Sequence, residues 1–401
     1  MKTILPKIKF KKFYEKWNRK KLQSIAPLRG GFAFKSEEFQ DSGIPIVRIS
    51  NIKFDGTVGG EFEYYSKINP DEKFVLRGRS ILLAMSGATT GKIAMLDSEE
   101  EYYQNQRVGY FQNTGAVDYD FLSSVLQTKK FTNQLNSVLV AGAQPNISSK
   151  EIDSFVFYIP KSLEEQSAIG SLFRTLDELL ASYKDNLANY QSFKATMLSK
   201  MFPKAGQTVP EIRLDGFESE WEIKRADEIF KSVSEKNKAS LPVLSASQID
   251  GMVLRDELGI DIKYDEATLN NYKVVKPGQF VIHLRSFQGG FALSKIEGIT
   301  SPAYTIIDFI DKENSLPAFW NSILTSRDFI KRLETVTYGI RDGKSISFKD
   351  FSSLKFVFPE FKEQQAIGSY FSILDNLINS HQEKISQLET LKKKLLQDMF
   401  I

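Results

Sequence analysis

Glu165–Phe202 reads EQSAIGSLFRTLDELLASYKDNLANYQSFKATMLSKMF, and Glu363–Phe400 reads EQQAIGSYFSILDNLINSHQEKISQLETLKKKLLQDMF. The shared letters fall at a constant offset of 198 (363 − 165), giving the frame EQ-x-AIGS-x-F-x-x-LD-x-L and a common MF ending. Within each copy apolar residues step by four and three: Ile169, Phe173, Leu176, Leu180, Leu187, Tyr190, Met197 and Met201, then Ile367, Phe371, Leu374, Ile378, Ile385, Leu388, Leu395 and Met399. That spacing is the seam of a coiled coil. Polar residues interrupt the seam at matching places, Tyr183 with His381 and Lys194 with Lys392, and such residues fix register at a cost in stability. The two helices are therefore expected to pair with each other, antiparallel, each a rod of roughly 57 Å.

The repeat reaches beyond the helices. PKIKFKKFYEKWNRKKL at 6–22 returns as PEIRLDGFESEWEIKRA at 210–226, with Pro6, Ile8, Phe13 and Trp17 answered by Pro210, Ile212, Phe217 and Trp221. Between these openings and the helices, short apolar runs separated by turn residues read as strands: IPIVRISNI (44–52), SILLAM (80–85), KIAML (92–96), RVGYF (107–111) and DSFVFYIP (153–160). The second copy offers PVLSASQI (242–249), GQFVIHL (278–284), GFALSKI (290–296) and LKFVFP (354–359). Helix is expected only over 119–138 and 317–336. The predicted class is α+β: a first α+β domain (1–160), a long helix (161–202), a Pro- and Gly-containing linker (203–211), a second α+β domain (212–359) and a second long helix (360–401).

Composition narrows the chemistry. The 401 residues include no Cys and two His, His283 and His381, so thiol catalysis, disulfides and Cys or His metal sites are not expected. No signal-like or membrane-length apolar run occurs, which predicts a cytoplasmic protein without membrane attachment. The net charge of +3 says little about partners, although nine Lys or Arg stand against one acid in the first 21 residues. GATTGKI at 87–93 departs from a phosphate loop: three residues separate Gly87 from Gly91, and Ile93 follows Lys92 where Ser or Thr is required. A tight turn between strands explains it better. Pro70 and Asp71 do not extend into a nuclease motif, and Glu99 to Glu101 read as a solvated turn. No catalytic, cofactor or metal residues are predicted in this chain.

The two domains keep their frame and differ in their loops. SGATTGK (86–92) faces RSFQGG (285–290), and AGAQPNIS (141–148) faces YGIRDGKSIS (338–347). Loops on a rigid frame carry specificity, so two unlike targets are expected. Side chains suited to base edges and phosphates gather there. In the first domain these are Arg48, Asn51, Ser86, Thr89, Thr90, Lys92, Gln104, Asn105, Gln106, Arg107, Gln144, Asn146 and Ser148; in the second, Ser245, Ser247, Gln248, Arg285, Ser286, Gln288, Tyr338, Arg341, Lys344 and Ser345.

GFAFKSEEF (31–39) with GIPIVRISNI (43–52), LRGRSILLAMSGATTGKIAML (76–96), NQRVGYF (105–111), and IP followed by EQ-x-AIG together resemble the specificity subunit of type I restriction-modification systems. The second half departs in its opening, where VLSASQIDG (243–251) replaces GIP-x-VRISNI. The resemblance implies a non-catalytic chain that binds double-stranded DNA at a bipartite target. It also implies two modification (methyltransferase) subunits as partners, with restriction subunits able to join. S-adenosylmethionine, ATP and magnesium would then sit on those partners. The competing expectation is a two-domain adaptor that scaffolds proteins on a coiled coil, followed by an enzyme with an unrecognised site. Specific DNA retention with steep salt dependence separates the first reading from both others.

Overall fold

The structure, a computed structural model, describes residues 5–139, 146–204, 206–247, 250–258, 266–282, 291–336 and 348–401. The chain divides into two compact units, Met1–Lys184 with Glu383–Ile401, and Asp185–Gln382. Each unit holds one α+β domain together with a portion of each of two 38-residue helices, Leu163–Lys200 and Phe361–Asp398.

In the first unit two four-stranded sheets form the domain. One orders Leu28–Arg29, Val108–Phe111, Ser80–Ala84 and Ile93–Leu96, antiparallel throughout. The other orders Glu63–Tyr65, Ile44–Val47, Tyr102–Gln104 and Val75–Leu76, with one parallel pair between Ile44–Val47 and Tyr102–Gln104. Asn18–Lys21 pairs antiparallel with Val156–Ile159, bringing the two ends of the domain together beside the long helix. The helical stretch divides into Tyr119–Leu126 and Lys129–Leu139. Asp118 caps the first of these by accepting from Phe121 N–H at 2.8 Å. Tyr119 bolts that helix to the sheet, since its hydroxyl donates to Phe111 O (2.6 Å) and accepts from Ile81 N–H (2.8 Å). Burial pushes this phenol far above its usual range.

The second unit repeats the frame. Its four-stranded sheet orders Phe230–Val233, Thr305–Phe309, Phe280–Ile282 and Ala292–Leu293, the same sequence of neighbours as the first unit's all-antiparallel sheet. Glu222–Arg225 pairs with Lys355–Phe358 as Asn18–Lys21 does with Val156–Ile159. Two further antiparallel pairs, Leu244–Ser247 with Gly251–Leu254 and Lys273–Val275 with Gly298–Thr300, complete it. Pro317 opens the helix Pro317–Leu324 at its first turn, where a missing N–H costs nothing, and Arg327–Val336 follows.

The recurring EQ-x-AIG letters are an anchor between domain and helix. Gln166 donates to Pro160 O (2.9 Å) and accepts from Asp118 N–H (2.8 Å), locking the start of the helix to the domain's last strand and first helix. Gln364 repeats this, donating to Pro359 O (3.0 Å) and Asn314 O (3.2 Å) and accepting from Leu316 N–H (3.1 Å). Gly170 and Gly368 let the domain helix approach closely: a Cβ on Gly170 would run into Phe121 N and stand 2.8 Å from Asp118 Oδ1. Glu165 and Glu363 are buried, the first accepting from Trp17 Nε1 and the second from Arg213.

The helices pack antiparallel within each unit. In the first, Ile169, Phe173, Leu176 and Leu180 share one core with Leu388 and Met399, and Lys184 pairs with Glu389 at 2.7 Å. In the second, Ile367, Phe371 and Leu374 share a core with Met201, and the Tyr190 and His381 rings meet edge to face at 5.1 Å. Ile378 is buried as well, whereas Leu187 and Ile385 are half-buried. The seam lysines are ion-paired: Lys392 with Asp177 in the first unit, Lys194 with Asp375 in the second.

Candidate nucleic-acid interface

In the first unit four chain segments are pinned side by side. Asn105 N–H donates to Val47 O (3.1 Å), Met85 N–H to Arg107 O (2.9 Å) and Ile147 N–H to Met85 O (2.9 Å). Thr89 Oγ1 adds a bond to Ile49 O at 3.2 Å. Ser86 to Lys92 form the turn of the hairpin between Ser80–Ala84 and Ile93–Leu96, closed by Gly91 N–H to Ala84 O (2.8 Å) and Lys92 N–H to Thr89 O (2.9 Å). Gly87 and Gly91 take φ of +79° and +84°, which a side chain would strain. Strand follows Lys92 directly, so no helix N-terminus is available to hold a phosphate.

On these segments Lys92, Gln106, Arg107 and Asn146 are exposed, and Ser86, Thr89, Thr90 and Asn105 are half-buried. Thr90 Oγ1 donates to Gly87 O (2.6 Å), and Asn105 Oδ1 accepts from Arg107 N–H (3.4 Å), shaping their own turns. Arg48 is half-buried, with its guanidinium 3.3 Å from Glu63.

Three of the expected contacts make hydrogen bonds within their own domain, two of them from buried positions. Asn51 is 1% exposed; its Oδ1 accepts from Arg48 N–H (3.0 Å) and its Nδ2 donates to Glu61 O (2.8 Å) and Gly59 O (3.3 Å). Gln104 is fully buried, donating to Arg29 O (2.8 Å) and Val108 O (2.7 Å) and accepting from Arg29 Nε (3.1 Å). Arg29 in turn reaches Glu72 O and Val75 O and stacks on Tyr110, so this pair fastens one sheet to the other. Burial lowers the Arg29 guanidinium from its usual range. Ser148 is a helix cap, accepting from Glu151 N–H (3.3 Å) while its Oγ donates to the Glu151 carboxylate (2.7 Å). Ser148 N–H also donates to that carboxylate (2.8 Å), and this bond together with the one from Ser148 Oγ holds Glu151 below the usual carboxylate range. The sequence did not mark Lys53 or Phe54, yet Phe54 is among the most exposed aromatic side chains described, in a turn beside Lys92.

In the second unit Ser245 accepts from Arg255 Nε (2.9 Å), and Ser247 exchanges bonds with Asp250 at 3.1 Å. Gln144 of the first domain, and Gln248, Arg285, Ser286, Gln288, Tyr338, Arg341, Lys344 and Ser345 of the second, lie outside the described residues. Among the described residues no group of three or more His, Cys, Asp or Glu could hold a metal ion, and no helix is long and apolar enough to cross a membrane.

A duplicated frame with unlike loop sequences matches a known family. The model of the type I restriction modification DNA specificity domain covers residues 14–189 and again 218–390. This chain belongs to that family. It carries the domain twice, each copy taking in the start of a long helix. The chain is 29% identical over 174 residues to the type I restriction enzyme MjaVIII specificity subunit of Methanocaldococcus jannaschii, an alignment covering 41% of this chain and 40% of that one. The Escherichia coli EcoAI specificity subunit is also 29% identical over 175 residues, covering 41% of this chain and 30% of its own length. The chain thus aligns with less than half the length of these relatives. In fold it is similar to the crystal structure of a type I restriction-modification S subunit from M. genitalium, with a TM-score of 0.63, 16% identity and 99% of each chain covered.

Proposed function

We propose that this chain is the specificity subunit of a type I restriction-modification assembly. Each recognition domain reads one half of a bipartite target in double-stranded DNA, and the paired helices set the unread spacer and dock two modification subunits. Restriction subunits join the same assembly. S-adenosylmethionine, ATP and magnesium act on those partners, and this chain contributes recognition without catalysis, in the cytoplasm.

The observation that carries this reading is the contrast between anchor and tip. The Gln166 and Gln364 anchors share two equivalent bonds, while the loop sequences SGATTGK (86–92) and RSFQGG (285–290) share almost no residues. Identical mounting with different tips fits two readers of different half-sites. Docking of two like partners is supported by exposed apolar residues that obey the same offset of 198. Leu179 and Leu391 in the first unit correspond to Leu377 and Phe193 in the second, and all four are at least 37% exposed.

Methylated sites mapped by sequencing in cells with and without this chain test the proposal. The expected result is one bipartite motif that vanishes with the chain. Replacing residues 23–150 by the corresponding domain of another family member should change one half of that motif only. A change in both halves, or methylation indifferent to the chain, would reject it; an adaptor of proteins leaves no such motif.

A further inference from the structure

Phe54 is 74% exposed at the tip of a turn that is otherwise tied down. Lys53 N–H donates to Thr57 O (3.0 Å) and Gly56 N–H to Lys53 O (3.3 Å), with Gly56 at φ +87°. Asp55 Oδ1 accepts from Thr57 Oγ1 (2.7 Å) and Thr57 N–H (3.0 Å). Those bonds hold the Asp55 carboxyl below its usual range and engage it inside the turn. Met95 N–H donates to Gly56 O at 2.9 Å, which fastens the turn to the strand that follows Lys92. The Lys92 ammonium stands 4.8 Å from the centre of the Phe54 ring.

A phenylalanine in water forgoes the gain of burial, and here the backbone is fixed so that the ring cannot fold away. The Lys92 ammonium stands beside the ring and, among the described residues, is not ion-paired with a carboxylate, while Lys53, the preceding residue, donates to Ser50 O at 3.1 Å. An exposed aromatic ring with a lysine ammonium 4.8 Å from its centre suits a stacked base with an adjoining phosphate. A protein contact of the usual kind would surround the ring with further apolar residues, and the turn supplies Gly, Asp and Thr instead.

We propose that Phe54 is a DNA-contacting residue of the first recognition domain, its ring stacking on a base of the half-site while Lys92 takes the adjoining phosphate. This rests on the DNA-reading function proposed above. It adds a contact made through the π-face of a base to those expected from hydrogen-bonding side chains, and so favours a half-site with an easily unstacked pyrimidine–purine step.

The test uses the full chain assembled with its modification subunits, a duplex carrying the mapped target, and a scrambled duplex of the same length. Phe54→Ala is expected to weaken target binding about ten- to hundredfold while leaving scrambled binding and the salt slope unchanged, and Phe54→Trp to retain affinity. Lys92→Ala should weaken both duplexes and lower the salt slope by about one. Target binding by Phe54→Ala equal to wild type would overturn the proposal. So would a loss confined to assembly with the modification subunits, which would make the ring a protein contact. A wild-type assembly that does not distinguish target from scrambled DNA would sink the DNA-reading function itself, and with it this contact.

Discussion

Lys392 of the second long helix is ion-paired with Asp177 of the first, at a seam position where a hydrophobic residue would ordinarily sit. Adding 198 to Asp177 and subtracting it from Lys392 gives Asp375 and Lys194, which form the equivalent pair in the second unit. A polar seam residue with one partner stabilises one register and penalises others. Asp177→Lys is expected to destabilise the chain by setting two ammoniums together, and Lys392→Asp on that background to restore most of the loss. A double-mutant cycle by urea denaturation should give a coupling of about 0.5–1 kcal/mol, as for partly exposed pairs. Strict additivity would mean that the pair does not hold register.

The anchor glycines separate packing from helix propensity. Alanine is favoured over glycine in a helix interior by about 1 kcal/mol, so Gly170→Ala would stabilise a helix with space around it. Here the new Cβ meets the backbone of Phe121, which cannot step aside. A net loss of about 2–3 kcal/mol is expected. Gly368→Ala meets the Leu316 side chain at 2.8 Å and Phe319 N at 3.2 Å, and the flexible leucine can yield. Thermal melts should rank Gly170→Ala as the more damaging; the reverse order would show that the domain helix moves freely on its anchor.

Glu165 and Glu363 share a motif position and have opposite surroundings. Arg213 clasps Glu363 with two bonds of 2.7 Å, and the buried Trp221 Nε1 has no hydrogen-bond partner among the described residues. In the first copy Lys9 stands at the position of Arg213, at an offset of 204, but lies over the Tyr14 ring at 5.3 Å. Glu165 accepts from Trp17 Nε1 at 3.1 Å, and burial raises its carboxyl above the usual range. A carboxyl raised in the folded state favours the fold at pH below its ordinary pKa and costs stability as pH rises through the raised value. Glu165→Gln is therefore expected to raise Tm at pH 7–8 and to converge on wild type toward pH of about 4.3. Glu363→Gln should instead lower stability by about 1.5–3 kcal/mol, because Arg213 loses its charged acceptor. Equal effects of the two substitutions at pH 7.5 would contradict this account.

What was legible in the sequence follows from periodicity. Heptad spacing located both long helices and their seam, and the 198-residue repeat gave the duplicated α+β frame before any contact was known. Apolar runs between turn residues found the strands around Leu82, Ala94 and Val108, but Thr305–Phe309 escaped, its apolar run TIIDF being broken by the buried Asp308, which bonds Gln279. Polar side chains were harder. Asn51 and Gln104 have the chemistry of base readers, and only burial shows that their amides are used by backbone groups of their own domain. Phe54 escaped for the opposite reason, since an apolar letter beside a turn reads as core. Composition states which bonds a side chain can make and leaves open whether the fold has already taken them.

The exposed apolar pairs on the helices give the final prediction. Leu179 and Leu391 each stand one residue before a seam position, Leu180 and Lys392, and in an antiparallel pair such flanks line the same edge. Leu377 and Phe193 hold the equivalent positions in the second unit, before Ile378 and Lys194. Flanks of this kind usually carry Glu or Lys, and apolar residues exposed by 37–48% there mark a surface that another protein covers. Two equivalent patches would seat two copies of one partner. Leu179→Glu with Leu391→Glu leaves the seam intact, so helix content by circular dichroism should not change. Native mass spectrometry of the co-expressed assembly should then fall from two modification subunits per chain to one, and adding Leu377→Glu with Phe193→Glu should remove the second. Retention of both subunits by the fourfold variant would place their docking surface elsewhere on the chain.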